Sequence, residues 1–271
     1  MRKGQDVKVE FNDVELSYVD RGIGLPILFV HGFPLDGTLW QPQLDGLSDE
    51  YRVIVPDLRG FGGSTVSLAM TMEQYADDLR LLLDELGIEE VVLAGLSMGG
   101  YIAFAFCRKY SGRLRGLVLA DTRPQADSDE ARANRTATGK QVIGHGAAAL
   151  ADSMLDKLLS PATFKDQPDL VSAVRDMMAR QSVFGIVAAL YGMSERPDAS
   201  PLLGEISVPT LVVVGADDVI TPVAEAESMV ESIPGSELLV IPDAGHLSNL
   251  EQPEAFNQAL RDFLVSRVEG A

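Results

Sequence analysis

Apolar and polar positions along this chain follow two patterns, one typical of strands and one typical of amphipathic helices. Residues 7–11 and 14–18 alternate between apolar and polar side chains, and the Asn12-Asp13 pair between them predicts a hairpin turn. Later runs are almost entirely apolar and predict further strands, and the first three have the pattern expected of parallel strands that are buried on both faces. These runs are ILFV (27–30), RVIVP (52–56), VVLAGL (91–96), LRGLVLAD (114–121), VPTLVVVGA (208–216) and ELLVIP (237–242).

Amphipathic segments separate these runs and predict helices between the strands. The clearest begins after Thr71, which forms a capping box with Gln74, and it ends at Gly87. Strands that alternate with helices indicate an α/β fold, in which helices flank a mostly parallel sheet. Further helices are predicted at 97–110, near 223–232 and at 256–268.

The alternation stops between residues 122 and 200, where helical patterns occur without a convincing strand. We therefore predict a helical cap over residues 122–200, inserted into an α/β core formed by residues 1–121 and 201–271. The prolines that punctuate or bound this cap are Pro161, Pro168, Pro197 and Pro201. Its predicted helices lie near 144–159, 169–180 and 183–195.

Composition and charge exclude several classes of function. The chain has 271 residues, enough for a sizeable core, and its 22 basic and 40 acidic residues give a net charge of −18. Such a surface repels phosphate backbones and anionic membranes, so we expect neither nucleic acid nor a membrane as a partner. The N-terminus lacks the apolar run of a signal peptide, and no apolar stretch reaches the ~20 residues of a spanning helix. These features predict a cytoplasmic protein.

Nothing in the sequence predicts a metal site or a cofactor. Histidine, cysteine and acidic residues do not occur at metal-ligand spacing, and no glycine-rich loop opens a helix as a phosphate cradle would. The single cysteine, Cys107, excludes an internal disulfide. We therefore expect a protein that works with its own side chains.

The segment Gly95-Leu96-Ser97-Met98-Gly99 carries the most specific chemical signal. Its G-x-S-x-G pattern is weak alone, but here it follows a predicted buried strand and opens a predicted helix, as a nucleophile elbow requires. At such a turn the serine hydroxyl stands above the sheet, and a side chain at Gly95 or Gly99 would collide across the turn. The helix N-terminus behind Ser97 offers N–H groups to a developing oxyanion. We predict that Ser97 is a nucleophile.

A second loop at the same edge of the sheet is expected to complete an oxyanion hole. His31-Gly32-Phe33-Pro34 directly follows the first apolar run. An acyl-transfer site needs two N–H donors, and we predict those of Phe33 and Met98. Pro34 has no N–H and can only shape the loop. His31 is interpreted as a structural hydrogen-bonding residue beneath the loop.

Candidates for the base and the acid follow later strands. Of the three histidines, His246 follows the last apolar run and precedes the last helix, whereas His145 is predicted on the surface of the cap. Three aspartates end strands, and we favour Asp218 as the acid that orients the base. Asp217 is interpreted as a solvated or turn-capping neighbour, and Asp121 as structurally paired. The resulting chain order of serine, acid and histidine is the one expected for this kind of site.

Five segments together resemble the α/β-hydrolase superfamily, namely HGFPLDGTLW, VPDLRGFGGS, GLSMGG, GADDVITP and AGHLSNLEQPEAF. Within it, the chain is most similar to bacterial carboxylesterases near the arylesterases, cofactor-free perhydrolases and 3-oxoadipate enol-lactonases. The likeness covers nearly the whole chain and is weakest in the cap. It implies an eight-stranded sheet with a helical lid, and its G-x-x-D-x-x-x-P pattern selects Asp218 over Asp217. The other site residues that it implies are Ser97, His246, Phe33 and Met98.

The resemblance implies a carboxylesterase that hydrolyses small, short-acyl esters. A lactonase of the 3-oxoadipate enol-lactonase kind, an amidase or a carbon–carbon hydrolase would use the same three side chains with a different pocket. Pro34 resembles the perhydrolase form of the oxyanion loop and suggests a peracid-forming side activity. Ser97 argues against haloalkane dehalogenases and epoxide hydrolases, which carry an aspartate at this position. Outside enzymes, the alternative is a ligand-binding receptor on the same fold.

Overall fold

A sheet of eight strands organises the residues that the computed structural model describes, which are 7–11 and 14–270. The strands are β1 (Val7–Phe11), β2 (Val14–Arg21), β3 (Pro26–Val30), β4 (Arg52–Pro56), β5 (Val91–Leu96), β6 (Leu114–Ala120), β7 (Thr210–Gly215) and β8 (Glu237–Ile241). Their order across the sheet is β1-β2-β4-β3-β5-β6-β7-β8. Only β2 runs antiparallel to its neighbours. The predicted mostly parallel, eight-stranded sheet is confirmed.

The predicted hairpin turn at Asn12-Asp13 lies outside the described residues. The strands on either side of it, β1 and β2, pair in antiparallel register, with Phe11 opposite Val14.

Ten α-helices accompany these strands in the described part of the chain. They are α1 (Gln41–Leu47), α2 (Met72–Glu85), α3 (Met98–Tyr110), α4 (Asp129–Leu158), α5 (Pro161–Asp166), α6 (Pro168–Ala179), α7 (Val183–Glu195), α8 (Val223–Ser232), α9 (Ser248–Glu251) and α10 (Pro253–Phe263). The capping box of α2 is present as predicted, because the Thr71 hydroxyl accepts the N–H of Gln74 and the Gln74 side chain accepts the N–H of Thr71. Gly87, with φ of 65°, adopts the left-handed conformation of a helix stop.

The middle strands are buried on both faces, which explains their continuous apolar sequences. In β5, Val91 and Leu93 contact the hydrophobic layer beneath α2 and α3, whereas Val92 and Ala94 contact the layer beneath α1 and α10. Trp40 is fully buried in the second layer. These two layers make the sheet a rigid platform for the loops at its carboxyl edge.

β8 differs from the other apolar runs. Its side chains alternate between inside and outside, and Leu238 and Val240 are 37% and 38% exposed. The reason is its place at the edge of the sheet, which its apolar sequence alone does not reveal.

Between β6 and β7 the described chain is helical, from α4 to α7, with no strand. α4 is longer than the helix predicted near 144–159, because it begins at Asp129, where the Ser128 hydroxyl accepts the N–H of Ala131. It kinks at Gly146, where φ is 81°. α5 has no counterpart in the prediction. The division into a core (1–121 and 201–271) and a cap stays a prediction.

Among the described residues, no helix combines the length and the apolar character needed to cross a membrane.

Candidate active site

Three side chains from three different strand ends meet at the carboxyl edge of the sheet. Ser97 follows β5, Asp218 lies three residues after β7, and His246 lies in the loop after β8. His246 Nε2 is 2.8 Å from Ser97 Oγ, and His246 Nδ1 is 2.7 Å from Asp218 Oδ2. An ionised Asp218 accepts the Nδ1–H, which leaves Nε2 free to accept the hydroxyl proton of Ser97. The structure thus brings together all three residues predicted for the site.

Ser97 stands at a strained turn between β5 and α3. Its φ of 54° is in the left-handed region, which is uncommon for a residue with a side chain. Its N–H donates to Ala120 O at 2.9 Å, and its carbonyl oxygen accepts the Thr122 hydroxyl at 2.8 Å. A Cβ atom added at Gly95 would lie 2.3 Å from Gly99 O, so the turn requires glycine there. The surroundings therefore hold the Ser97 backbone in a conformation that it would not adopt alone.

Gly99 meets a different obstacle from the one expected. A Cβ atom there would lie 2.2 Å from Val30 O, at the end of β3, rather than against the turn itself. Gly99→Ala should lower the free energy of unfolding by at least about 2 kcal/mol, because two backbone segments would have to separate. Urea unfolding measures the loss. Gly112→Ala is the matched control, since nothing lies within 4 Å of its added Cβ, and equal losses in the two variants would contradict the prediction.

Asp218 is buried, yet its carboxylate is fully hydrogen-bonded. Oδ1 accepts the N–H groups of Ile220 and Thr221 at 2.8 and 3.0 Å, and Oδ2 accepts the Thr221 hydroxyl at 2.6 Å. Burial alone would raise the pKa of Asp218, but the charge of His246 and the bonds from His246 and Thr221 hold that pKa below its usual value. Asp218 is therefore ionised at neutral pH.

His246 is 2% exposed, and three carboxyl groups act on it. Burial would lower the pKa of its imidazole, but the charge and hydrogen bond of Asp218, followed by the charges of Asp121 and Glu251, raise that pKa above its usual value. The environment thus favours the imidazolium that forms when the ring takes a proton. A base with a raised proton affinity suits proton transfer from a serine hydroxyl.

The two predicted oxyanion donors flank Ser97. A Cβ atom added at Gly32 would lie 3.3 Å from Ser97 Cβ, so the loop carrying Phe33 runs directly beside the serine. Met98 is the first residue of α3, and its N–H lies outside the hydrogen-bond ladder of the helix. Both N–H groups therefore belong to segments that touch Ser97, and their role as donors stays a prediction.

The other two histidines lie where the sequence placed them. His31 is fully buried; its Nε2 accepts the N–H of Leu58 at 3.0 Å, and its Nδ1 donates to Gly32 O at 2.9 Å. Burial lowers the pKa of His31, so it stays neutral and holds the oxyanion loop. His145 is exposed on α4.

Sequence reasoning missed Thr221 and part of the role of Asp121. An aspartate whose oxygen accepts the N–H groups two and three residues later forms an Asx turn, so the spacing of Asp218 and Thr221 is a signal that could have been used. Asp121 is buried and hydrogen-bonded, as predicted for a structural residue, but no side chain of a lysine or arginine pairs with it among the described residues. The Asp217 side chain is exposed.

Within the described residues, no group of three or more histidine, cysteine or acidic side chains is arranged to hold a metal ion.

Comparisons with known proteins agree on one family. Its model, for the alpha/beta hydrolase fold, matches residues 26–253. A protein named 3-oxoadipate enol-lactonase 2, from Acinetobacter baylyi, is 32% identical over 251 residues, which are 92% of each chain. A thermophilic esterase from Thermogutta terrifontis, solved with malate bound, is 49% identical with a TM-score of 0.93, over 96% of this chain and 98% of its own. The enol-lactonase from Burkholderia xenovorans is 28% identical with a TM-score of 0.89, over 96% of this chain and 100% of its own.

Proposed function

The chain belongs to the α/β-hydrolase family, and on that premise we propose that it is a carboxylesterase that hydrolyses small, short-acyl esters. The observation that carries this proposal is the continuous hydrogen-bonded series Asp218–His246–Ser97, with distances of 2.7 and 2.8 Å. Such a series activates a serine hydroxyl for attack on an acyl carbon. The 49% identity to the Thermogutta terrifontis esterase favours an ester as the substrate.

The proposed reaction has two halves. His246 Nε2 takes the Ser97 proton as Oγ attacks the ester carbonyl, and the N–H groups of Phe33 and Met98 stabilise the oxyanion. The tetrahedral adduct collapses, the alcohol leaves with the proton from His246, and Ser97 carries the acyl group. Water then gives a proton to His246 and attacks the acyl carbon of the acyl-enzyme. His246 returns the proton to Ser97 Oγ as the carboxylic acid product leaves, which restores the free serine.

Asp218 would act through His246 rather than on the substrate. Its carboxylate keeps the Nδ1–H in place, so that Nε2 faces Ser97 in its basic form. It also stabilises the imidazolium in both halves of the reaction.

The segment after α4 covers the loop that carries the base. The N–H of His246 donates to Leu158 O at the end of α4, and a Cβ atom at Gly245 would lie 2.8 Å from the backbone of Ser160. The segment after α4 therefore packs directly on the loop that carries the base. On this basis we propose a pocket with little room for a long acyl chain.

The test is hydrolysis of p-nitrophenyl esters of increasing acyl length. We expect the highest kcat/KM for the acetate or butyrate ester and a steep fall for long chains. A preference for long acyl chains would overturn the short-acyl assignment, and absence of turnover on every ester would overturn the esterase assignment.

The pH dependence of this hydrolysis follows from the pKa of His246. The base must be neutral to accept the serine proton, so kcat/KM rises as pH rises through the pKa of His246 in the free enzyme. Because that pKa is raised, the acid limb should lie above the ~6.5 of an ordinary histidine. A pH profile of kcat/KM measures it, with His145→Gln as the control for a histidine outside the site. An acid limb below that of an ordinary histidine, or one moved by His145→Gln, would contradict the prediction.

A lactonase is the second candidate, favoured by the 32% identity to the Acinetobacter baylyi enol-lactonase. The same series of side chains would open a ring ester, with the alcohol remaining part of the product. Parallel assays on the p-nitrophenyl esters and on aliphatic and enol lactones separate the two, since the higher kcat/KM identifies the bond for which the pocket is built. Tight binding of a lactone without turnover would instead favour the receptor alternative.

A further inference from the structure

The end of β6 contacts the segments that carry all three residues of the proposed triad. Ala120 O accepts the N–H of Ser97, and the Thr122 hydroxyl donates to Ser97 O. Between these two residues lies Asp121, whose side chain turns the other way, toward β7 and the loop of the base. Three consecutive residues thus connect the nucleophile with the acid and the base.

The Asp121 carboxyl makes two bonds, one to each of the other segments. Oδ1 accepts the N–H of Gly215 at 2.9 Å, where β7 ends and the loop to Asp218 begins. Oδ2 is 2.5 Å from the hydroxyl of Ser248, which opens α9 two residues after His246. The carboxyl therefore joins the strand that leads to the acid with the helix that follows the base.

The surroundings show how firmly this residue is held. Asp121 is fully buried and has a φ of 47°, in the left-handed region that costs about 1–3 kcal/mol for such a residue. Its own N–H donates to Val213 O of β7 at 2.9 Å. A strained backbone and a buried carboxyl at one position indicate that the fold needs this side chain there.

The charged groups that face Asp121 are those of the site itself. Burial and the negative charge of Asp218 raise the pKa of Asp121 to about 8, while His246, Ser248 and the N–H of Gly215 act in the opposite direction. Conversely, a negative charge on Asp121 raises the pKa of His246. Protonation of His246 and ionisation of Asp121 therefore favour each other.

We propose that Asp121 is a positioning residue of the triad: its carboxyl ties the end of β7 to α9 and sets the distance between Asp218 and His246, and once ionised it also supports the imidazolium by its charge. The proposal rests on the proposed function, because it assigns Asp121 a part in the same proton transfer. Asp121 touches neither the substrate nor the reacting atoms, so its effect reaches the reaction through His246.

The test compares four variants with the wild type on a p-nitrophenyl ester: Asp121→Ala, Asp121→Asn, Ser248→Ala and the double variant Asp121→Ala/Ser248→Ala. Asp121→Ala should lower kcat by about 10–100-fold with little change in KM, because a small misplacement of a catalytic group costs rate rather than binding. Asparagine can keep both hydrogen bonds, so Asp121→Asn should retain more kcat than Asp121→Ala. The double variant should be no slower than Asp121→Ala, because both changes remove the same link.

The pH profile provides a readout that a purely structural tie would not affect. Asp121 becomes charged as pH rises through its pKa of about 8, so the wild-type profile of kcat/KM should contain a second titration near that pH. Asp121→Asn cannot ionise and should lack it. Asp217→Ala, an exposed neighbour, is the control and should match the wild type in both kcat and profile. Should Asp121→Ala fail to fold, Ser248→Ala and Asp121→Asn carry the test.

Two results would overturn the proposal. One is wild-type kcat in both Asp121→Ala and Ser248→Ala. The other is a pH profile of kcat/KM in Asp121→Asn that superimposes on the wild type over the whole range, including the region near pH 8. Failure of the proposed function is separate. A wild type that turns over no ester but reacts with an organophosphonate at Ser97 ends the esterase assignment, and the phosphonylation rates of the same variants then decide the role of Asp121.

Discussion

Replacing Ser97 with alanine is expected to lower kcat for ester hydrolysis by about 10⁴–10⁶-fold, as removal of a serine nucleophile does in comparable triads. Its hydroxyl is the atom that His246 Nε2 contacts at 2.8 Å, and no other side-chain hydroxyl in the described residues contacts that nitrogen. Without it, the oxyanion donors and the pocket remain, but no acyl-enzyme can form. The residual rate would come from water.

The same substitution should barely change stability. Ser97 loses one hydrogen bond, and alanine fits the same turn, so the free energy of unfolding should change by no more than about 1.5 kcal/mol. Steady-state kinetics and urea unfolding measure the two effects together. Ser228→Ala, at an exposed position of α8, is the matched control. A Ser97→Ala variant that keeps more than a tenth of the wild-type kcat would contradict the assignment of the nucleophile.

Replacing Asp218 with asparagine is expected to lower kcat by about 10³–10⁴-fold. The amide has nearly the same shape, but it carries no charge to support the imidazolium. It can also turn its NH₂ group toward His246 Nδ1, which would place the ring proton on Nε2 and remove the base. The loss should therefore appear in kcat, with KM for a small ester changed little.

Asp217 provides a control of the same residue type at the next position. Its side chain is exposed, whereas that of Asp218 is buried and bonded to His246. Asp217→Asn should keep wild-type kcat. Comparable losses in the two variants, or a larger loss in Asp217→Asn, would show that the acid has been assigned to the wrong residue.

The strands could be predicted because burial on both faces requires a continuous run of apolar residues. β5 and β7 are apolar at almost every position, and each lies within a residue or two of its predicted bounds. β8 was also predicted as a strand, but its sequence does not reveal that it is only half-buried, since an edge strand can be as apolar as a central one. The order of the strands in the sheet cannot be predicted from the sequence of any single strand, because it depends on pairing between distant segments.

Helix prediction succeeded where a cap or stop marked the ends, as with α2 after Thr71. It fell short in the first half of α4, which is rich in alanine, threonine and arginine and buries few side chains, so its apolar stripe is weak. The kink at Gly146 divides the helix there, and only the more apolar second half was recognised. A helix that packs only on other helices and buries few side chains has a weaker apolar stripe in its sequence than a helix packed on the sheet.

The three central site residues could be predicted because each lies within a few residues of the end of a strand and each has a side chain suited to one chemical role. The rule that parallel strands bring their carboxyl ends to one edge places Ser97, Asp218 and His246 together, and the G-x-x-D-x-x-x-P pattern was also needed to separate Asp218 from Asp217. The bonds from Asp121 to Gly215 and Ser248 could not be predicted, since they depend on β6 and β7 being neighbours and on the direction of one buried side chain. Contacts of this kind become visible only in three dimensions.

The central claim is that Ser97 forms a covalent acyl-enzyme with an ester. Rapid-quench kinetics with p-nitrophenyl acetate, combined with mass spectrometry of the acid-quenched protein, test it most directly. We expect an acetyl group on the peptide that contains Ser97, formed at least as fast as turnover and absent from Ser97→Ala. Steady turnover with no acetyl group on that peptide, or an acetyl group that persists in Ser97→Ala at the wild-type rate, would contradict it.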